Sequence, residues 1–200
     1  MKFRGAEAIV ETIEWNGQTV VSKRRNKRGY RHPALEKRLV VERLRSESRI
    51  MERLLSQGVP VPAIFSVNTS DNSIFMEFIE GQTLERALRG KDFKEHLIRT
   101  AQLLSMIHSL NVVHGDPTTS NFLVNDKIHA VDFGLSSISD DDEDRASDLR
   151  VFLESLDSHH SEITGRDTFL EAYSKGAASQ SVLEALKVLE LRGRYNLMRG

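Results

Sequence analysis

The sequence predicts an α+β fold in two parts, a β-rich first part and a mainly helical second part. In residues 1–80, short runs rich in β-branched and aromatic residues alternate with turn residues, and one long segment with helical periodicity interrupts them. In residues 81–200, the apolar spacing is that of amphipathic helices, apart from one short hairpin. Strand-rich and helix-rich stretches that follow one another are typical of the α+β class. We therefore expect two domains, 1–80 and 81–200.

The first part is expected to begin with a β-hairpin and to continue with a long helix. Residues 7–15 and 18–23 are strand-like, and Asn16-Gly17 between them favours a tight hairpin turn. Residues 33–57 then show helical periodicity, and Gly58 follows at the position where helices commonly end in glycine.

Two further strands and a series of helices complete the predicted elements. The strands, 63–68 and 73–79, flank a polar turn. Beyond residue 81 the apolar spacing becomes helical, and these segments are predicted helices: 84–88, 93–110, 148–156, 169–173 and 182–192.

The composition favours a globular protein of ordinary charge. With 200 residues the chain can bury a sizeable core, and its net charge of −1 indicates neither a strongly basic nor a strongly acidic surface. The absence of cysteine excludes disulfides, thiolate metal sites and cysteine nucleophiles. There is no secretory signal core and no apolar run near the ~20 residues that a membrane span needs. We expect a soluble cytoplasmic protein with no membrane attachment.

A group of oxygen-bearing side chains begins with the run HGDPTTSN at 114–121. It contains Asp116 and, five residues later, Asn121, and the triplet DFG begins at Asp132. In protein kinases this order of Asp, Asn and DFG Asp orients a hydroxyl nucleophile and holds magnesium ions. We therefore predict a phosphoryl-transfer site in which Asp116 accepts the proton of the nucleophile and Asn121 and Asp132 bind Mg²⁺.

A predicted hairpin separates Asn121 from Asp132. Two strand-like runs, 122–124 and 128–131, flank a polar turn and would fix the separation of these two side chains. The alternative is an ordinary hairpin flanked by turn-forming residues, with the DFG triplet a coincidence. The number of coupled parts in the motif favours the functional interpretation.

A nucleotide site of this kind also needs a strand lysine and a carboxylate on the following helix. Lys23, at the end of a strand-like run, and Glu47, inside the predicted long helix, are the pair that we expect at the phosphates. Neighbouring charges leave alternatives for both positions: Arg24, Arg25 and Lys27 for the lysine, and Glu42 and Glu52 for the carboxylate.

The remaining nucleotide contacts are predicted from two short segments of the first part. A glycine-rich phosphate loop is absent, and Gly5-Ala6-Glu7-Ala8 stands before the first strand, where a turn of small residues can cover phosphates through its backbone amides. At the end of the last strand, backbone groups of Glu77 and Ile79 can pair with an adenine edge while Met76 lines the pocket.

Polar residues outside these motifs are expected to be structural. The acidic run 140–144 suits a solvated helix start. His159 and His160 are expected at the surface, and His108, on an amphipathic helix, is expected to pack rather than to bind a ligand.

Together these segments resemble one family, the small atypical kinase of the KEOPS complex, also called the PRPK-like family. The resemblance covers nearly the whole chain and is carried by GAEA at 5–8, the basic run at 23–27, YRHP at 30–33, the segment 45–51, HGDPTTSN and DFG. It is to the free-standing, archaeal-type form. It implies a minimal bilobal protein-kinase-like fold that lacks the activation segment and the later helices of the C-terminal lobe. In agreement, no APE motif follows Gly134.

The resemblance implies an ATP-dependent KEOPS subunit, an ATPase and atypical serine/threonine protein kinase that supports threonylcarbamoyladenosine modification of tRNA. It implies ATP and Mg²⁺ as cofactors. It places Lys23 and Glu47 at the phosphates, Asp116 as the proton acceptor, and Asn121 and Asp132 at the magnesium. The implied partners are the metalloenzyme transferase subunit of the complex, a small adaptor subunit and tRNA.

Two other functions remain open. Choline and aminoglycoside kinases also carry an HGD loop followed by Asn, but the short second part of this chain argues against such a small-molecule phosphotransferase. A nucleotide-binding scaffold without turnover is the third possibility, and the complete set of Asp116, Asn121 and Asp132 argues against it. Gly115 and Thr118 replace the arginine and lysine of the usual kinase catalytic loop, which leaves little means of ordering a peptide substrate.

Overall fold

The structure is a computed structural model that describes residues 2–4, 8–26, 33–160, 164–176 and 179–197. The chain divides into two compact units, Met1–Glu80 and Gly81–Gly200. Within the described ranges, no helix combines the length and the apolar character that crossing a membrane requires.

The described residues of the first unit form one antiparallel sheet and a long helix. Their bounds are β1 (Lys2–Arg4), β2 (Ala8–Trp15), β3 (Gln18–Arg25), α1 (Pro33–Ser56), β4 (Ile64–Asn68) and β5 (Ser73–Glu77). The strand order is β1-β2-β3-β5-β4. The predicted hairpin is confirmed, because β2 and β3 pair along their whole length and meet at Asn16 and Gly17, whose φ values are 50° and 79°.

Strand β3 continues to Arg25, beyond the predicted end at Lys23. Arg24 pairs with Ser73 of β5, and the backbone N–H of Arg25 donates to the carbonyl of Asn72 at 2.9 Å. A run of three cations hides this part of the strand in the sequence. In the structure, burial still alternates, with Lys23 and Arg25 buried and Arg24 exposed.

Helix α1 packs on β4 and β5 through one apolar stripe and exposes a charged face. Val40, Leu44, Met51 and Leu54 are buried and recur at helical spacing. Gly58 follows the helix with φ 78°, the left-handed conformation that glycine adopts without strain.

The second unit is mainly helical. Its described elements are β6 (Gln82–Thr83), α2 (Leu84–Ala87), α3 (Phe93–Ser109), β7 (Val112–Val113), a short 3₁₀ helix (Thr119–Asn121), β8 (Phe122–Val124), β9 (Ile128–Ala130), β10 (Ser137–Ile138), α4 (Asp142–His159), α5 (Arg166–Ser174) and α6 (Ser179–Leu197). Strands β8 and β9 pair antiparallel, which confirms the predicted hairpin. β6 adds a third strand to this pair, and β7 pairs with β10.

Helix α4 begins at Asp142, well before the predicted start at Asp148. The side chain of Asp141 caps the helix by accepting the N–H of Glu143 at 2.8 Å. The acidic residues of the first turn face the positive end of the helix dipole. The acidic run is therefore structural, as expected, although its lack of apolar residues conceals where the helix starts.

His160 is buried, with 1% of its surface exposed, so the expected surface position is wrong for this residue. His159 is exposed, as expected. The N–H of His160 donates to the carbonyl of Leu156 at 2.9 Å, and its backbone leaves the helical conformation with φ −141° and ψ 45°. Because of that turn, its side chain does not continue the exposed face on which His159 lies.

An aromatic core joins the helices of the second unit to its hairpin. Phe152 of α4 stacks on Phe169 of α5 with 4.2 Å between ring centroids, and it meets the edge of Phe122 of β8 at 5.9 Å. All three side chains are fully buried. This core fixes α4 and α5 beneath the loop that carries the HGDPTTSN motif.

Candidate active site

In the first unit, Lys23 and Glu47 form a buried ion pair. The Nζ of Lys23 lies 2.5 Å from Oε1 of Glu47, and an NH2 group of Arg25 donates to Oε2 of the same carboxylate at 2.7 Å. Lys23 and Arg25 share this partner because residues two apart on a strand point to the same face. Glu42 and Glu52 are exposed instead. The structure therefore pairs the lysine and carboxylate that the sequence favoured, and it adds Arg25, which was considered only as a substitute for Lys23.

The predicted adenine-binding segment ends β5. Met76 and Ile79 are buried. The N–H of Glu77 donates to the carbonyl of Ala63 at 2.8 Å, so this backbone donor is already used inside the sheet. A base edge would thus have to use the Glu77 carbonyl together with Ile79. Of the predicted phosphate-covering turn, Gly5, Ala6 and Glu7 lie outside the described residues, and Ala8 is the first residue of β2.

In the second unit, the loop before β8 brings Asp116 and Asn121 together. The amide nitrogen of Asn121 donates to the backbone carbonyl of Asp116 at 2.8 Å and to its carboxylate Oδ2 at 3.1 Å. These two bonds close the loop across five residues. Because the amide nitrogen is directed at Asp116, the amide oxygen is the atom of Asn121 that suits a cation.

Asp132 is tied to the same loop by the hairpin. The N–H of Val131 donates to the carbonyl of Asn121 at 3.0 Å. Asp132 has φ 64°, a conformation that is costly for a residue with a side chain and that recurs at functional sites. Its carboxylate is close enough to Asp116 for its charge to raise the pKa of Asp116. The hairpin thus brings the three residues of the predicted motif into one neighbourhood.

The buried, neutral ring of His114 supports the loop that carries Asp116. It is fully buried and packs on Phe133 of the DFG triplet with 4.7 Å between ring centroids. Burial lowers the pKa of His114, so the ring is uncharged at physiological pH. Its Nε2 then donates to the carbonyl of Val131 at 3.1 Å, and its Nδ1 accepts the N–H of Asp116 at 3.4 Å.

Asp148 of α4 is a site residue that the sequence reasoning missed. Its carboxylate, 2% exposed, accepts the backbone N–H of His114 at 2.6 Å and that of Gly115 at 2.8 Å. It also lies 3.1 Å from Nε2 of His108. These are the amides directly before Asp116. The signal was present in the sequence, because Asp148 lies on the otherwise apolar face of an amphipathic helix beside Leu149, and a charge on such a face needs partners.

A second residue of α4 anchors the other end of the loop. Ser155, two turns after Asp148 and on the same face, accepts the N–H of Thr119 at 3.1 Å. The hydroxyls of Thr119 and Ser155 are also 3.1 Å apart, and Thr119 is fully buried. Helix α4 therefore holds the loop on both sides of Asp116.

The donor set suits magnesium better than a softer or more fully caged metal. Asn121 and Asp132 offer hard oxygen ligands, and Mg²⁺ commonly takes one or two protein carboxylates and completes its shell with phosphate and water. In the described part of the chain, no three His, Cys, Asp or Glu residues gather as they would around an all-protein metal site. Asn121 and Asp132 would hold the ion, with its remaining positions left to the phosphates.

Burial raises the pKa of Asp116 above that of an ordinary aspartate, while the hydrogen bond from Asn121 lowers it. Only the ionised carboxylate accepts a proton. If Asp116 is the proton acceptor of a phosphoryl transfer, the rate of that reaction should therefore fall on acidification at a higher pH than an ordinary aspartate would give. A raised folded pKa also means that the folded state binds this proton more tightly than the unfolded state, so ionisation of Asp116 costs stability as pH rises through that pKa.

Asp116→Asn is accordingly expected to lose turnover without losing stability at neutral pH. Carboxyl NMR titration of the metal-free chain, compared with the same aspartate in a short peptide, measures the shift directly. A titration midpoint at or below the peptide value would contradict the prediction, as would a lower unfolding midpoint for Asp116→Asn at neutral pH.

Comparison with known proteins identifies the family of this chain. The model of the protein kinase domain matches residues 4–168. The "EKC/KEOPS complex subunit BUD32" of Encephalitozoon cuniculi is 39% identical over 196 residues, covering 96% of this chain and 94% of that protein. The "EKC/KEOPS complex subunit bud32" of Dictyostelium discoideum is 32% identical, with 81% of its length covered.

A longer relative also matches. A "Probable bifunctional tRNA threonylcarbamoyladenosine biosynthesis protein" of Methanoculleus marisnigri is 39% identical over 197 residues, and the chain spans 35% of its length.

Two solved structures share the fold. The Rio2 kinase of Chaetomium thermophilum, solved as an ADP/Mg²⁺-phosphoaspartate complex, has a TM-score of 0.71 at 14% identity, covering 94% of this chain and 64% of that one. WaaP in complex with acyl carrier protein has a TM-score of 0.64 at 16% identity, covering 97% of this chain and 87% of that one. At these identities the likeness concerns the fold alone, and it confirms the predicted kinase-like α+β fold.

Proposed function

We propose, on the premise that the chain belongs to the protein kinase domain family and within it to the Bud32-type subunits of the KEOPS complex, that it binds Mg-ATP and hydrolyses it in support of tRNA modification. Membership of this family confirms the resemblance inferred from the motifs. The proposal adds the reaction, the cofactors and the partners.

The observation that carries the proposal is the grouping of three residues: Asp116 is hydrogen-bonded to Asn121, and Asp132 is close enough for its charge to act on Asp116. Asp116 accepts the proton of the attacking hydroxyl or water, and its raised pKa suits a group that must take up a proton and release it. The two hydrogen bonds from the Asn121 amide nitrogen hold Asp116 in place, and the amide oxygen of Asn121 would be the atom that holds the metal. Bound Mg²⁺ would neutralise phosphate charge, with Asn121 and Asp132 as its protein ligands.

We assign the binding of the nucleotide phosphates to the buried pair of Lys23 and Glu47 in the first unit. We assign Lys23 to the nucleotide phosphates, because its ammonium is a buried cation whose direction is set by Glu47. Glu47 itself is held at both oxygens, by Lys23 and by Arg25. A carboxylate bound in this way cannot rotate freely, so the lysine keeps one orientation.

Hydrolysis of ATP in a complex is favoured over phosphorylation of a free peptide. The names of the relatives point to the KEOPS complex and to threonylcarbamoyladenosine in tRNA. A bifunctional relative, of which this chain matches about a third, supports a partner activity in the remaining two thirds. We propose as partners the metalloenzyme transferase subunit, a small adaptor subunit and tRNA.

The test follows the labelled γ-phosphate of Mg-ATP with the purified chain, alone and with the KEOPS transferase subunit plus tRNA. We expect free phosphate, mainly when partner and tRNA are present, and none above background without Mg²⁺ or in Asp116→Asn and Asp132→Asn. Asp157→Asn is the matched control, because Asp157 is an exposed aspartate of α4 far along the helix from Asp148.

Each other outcome selects a different function. Label that moves to the protein or to an added peptide would favour a protein kinase. Label on choline or an aminoglycoside would favour a small-molecule phosphotransferase. Phosphate release that is the same in Asp116→Asn, Asp132→Asn and the wild type under every condition would refute catalysis at this site and favour a nucleotide-binding scaffold.

A further inference from the structure

A buried tyrosine connects helix α5 to the carboxylate that holds the catalytic loop. The hydroxyl of Tyr173, a residue 1% exposed, lies 2.7 Å from Nδ1 of His108 on α3. The opposite ring nitrogen of His108, Nε2, lies 3.1 Å from Oδ2 of Asp148. Asp148 in turn accepts the amides of His114 and Gly115. The chain of contacts therefore runs from α5 through α3 and α4 to the residue before Asp116.

The position of the Tyr173 hydroxyl is fixed from both sides along the chain. Four residues before it, Phe169 stacks on Phe152 of α4 with 4.2 Å between ring centroids. Three residues after it, Gly176 approaches α3 so closely that an added Cβ would lie 1.8 Å from Oγ of Ser105. Between these two contacts α5 has little freedom to shift along its axis, so the position of the Tyr173 hydroxyl relative to His108 is fixed.

The proton positions in this chain follow from Asp148. A carboxylate that accepts two backbone amides is an acceptor only, so Nε2 of His108 must carry the proton that it shares with Asp148. The Tyr173 hydroxyl can then donate to Nδ1, the ring nitrogen opposite the one that faces Asp148. Burial raises the pKa of Tyr173, with Arg145 acting against and Asp148 and Asp142 acting with this change, so the hydroxyl keeps its proton at physiological pH.

We propose that Tyr173 is a positioning residue of the phosphoryl-transfer site, which acts through His108 and Asp148 on the amides of His114 and Gly115 and so sets the position of Asp116. The proposal rests on the proposed function for its effect on turnover. It gives α5 a role that its sequence does not suggest. Without the hydroxyl, Nδ1 of His108 has no donor in this contact, and the ring is free to tilt. The hydrogen bond from Nε2 of His108 to the Asp148 carboxylate is then no longer held in one direction.

The test compares Tyr173→Phe with Thr100→Val in the full chain. Phenylalanine keeps the ring and its packing and removes only the hydroxyl. Thr100 lies on the same helix as His108, is fully buried and donates its hydroxyl to the carbonyl of His96 at 2.8 Å, away from the loop. Both changes remove one buried hydroxyl, and only the change at Tyr173 should reach Asp116.

We expect Tyr173→Phe to lower kcat about tenfold with little change in KM for ATP, the size that loss of one buried hydrogen bond permits. In the metal-free chain, the amide proton resonances of His114 and Gly115 should move upfield, because their hydrogen bonds to Asp148 weaken, and the ¹⁵N signals of His108 should lose the pure Nε2–H pattern. Thr100→Val should change none of these. His108→Gln, which keeps a donor for Asp148 and an acceptor for Tyr173, should retain more turnover than His108→Leu.

Two results would overturn the proposal: loop amides and kcat unchanged in Tyr173→Phe, or the same changes in Thr100→Val. The NMR readouts need no nucleotide. If the loop amides respond while the wild-type chain shows no turnover, the positioning role stands and the proposed function fails. If the wild type turns over ATP but neither the loop amides nor kcat respond to Tyr173→Phe, the proposed function stands and the positioning role fails.

Discussion

Gly115→Ala is expected to destabilise the protein by about 3 kcal/mol or more and to lower turnover about 10²-fold. Gly115 has φ +83°, and a Cβ at this position would lie 2.4 Å from the backbone oxygen of Leu135. The obstacle is main chain that follows the DFG triplet, so relief requires one backbone segment to move. Movement of either segment displaces a residue of the candidate site, because Gly115 precedes Asp116 and Leu135 follows Asp132 by three residues.

Gly58→Ala separates the two causes of this effect. Gly58 has nearly the same φ, +78°, but an added Cβ there has nothing within 4 Å. Its substitution should therefore cost only the left-handed backbone strain, about 1 kcal/mol. Denaturant unfolding of both variants measures the difference. If the two costs were equal, the close approach of Gly115 to Leu135 would not be present in the protein.

Asp148→Asn is expected to cost about 3 kcal/mol of stability and about 10²-fold in turnover. The carboxylate accepts the amides of His114 and Gly115, one at each oxygen, as well as His108. In asparagine one of these oxygens becomes an NH₂ group. That group must then face a backbone N–H, so two buried donors meet and one amide of the loop loses its partner.

The comparison for Asp148→Asn is Asp157→Asn, the same substitution on an exposed position of α4. Asp157→Asn should leave both the unfolding midpoint and turnover near the wild-type values. Denaturant titration and steady-state phosphate release on each variant provide the measurement. Wild-type turnover in a folded Asp148→Asn variant would show that Asp116 keeps its position without the carboxylate.

Gly115 also illustrates where sequence reasoning found the right residue and an incomplete reason. From the sequence, its presence in place of the arginine of the kinase catalytic loop indicates only that the loop has little means of ordering a peptide substrate. The structure adds a steric requirement, because Leu135 leaves no room for any side chain. That requirement depends on a residue 20 positions away in the chain, so no local pattern could reveal it.

The predicted Lys23–Glu47 pairing and the hairpin between Asn121 and Asp132 are both present in the structure. Hairpins are local, and alternation and turn residues suffice to predict them. The strand end at Arg25, the start of α4 and the burial of His160 were missed for a common reason. At Arg25 and His160 a charged or polar residue is buried by its partners in the fold, and at the start of α4 an acidic first turn without apolar residues hides the helical pattern.

By itself the sequence determined which chemical groups the protein has and in what order: a lysine and a glutamate in the first part, then two aspartates and an asparagine, at spacings that indicate phosphoryl transfer. It also determined the local elements, whose periodicity is written in neighbouring residues. Only the tertiary structure decided that Arg25 shares Glu47 with Lys23, that Asp148 holds the amides before Asp116, and that Tyr173 reaches Asp148 through His108. These contacts join residues 22 to 65 positions apart. Their energies come from burial and from hydrogen bonds that exist only once the chain has folded.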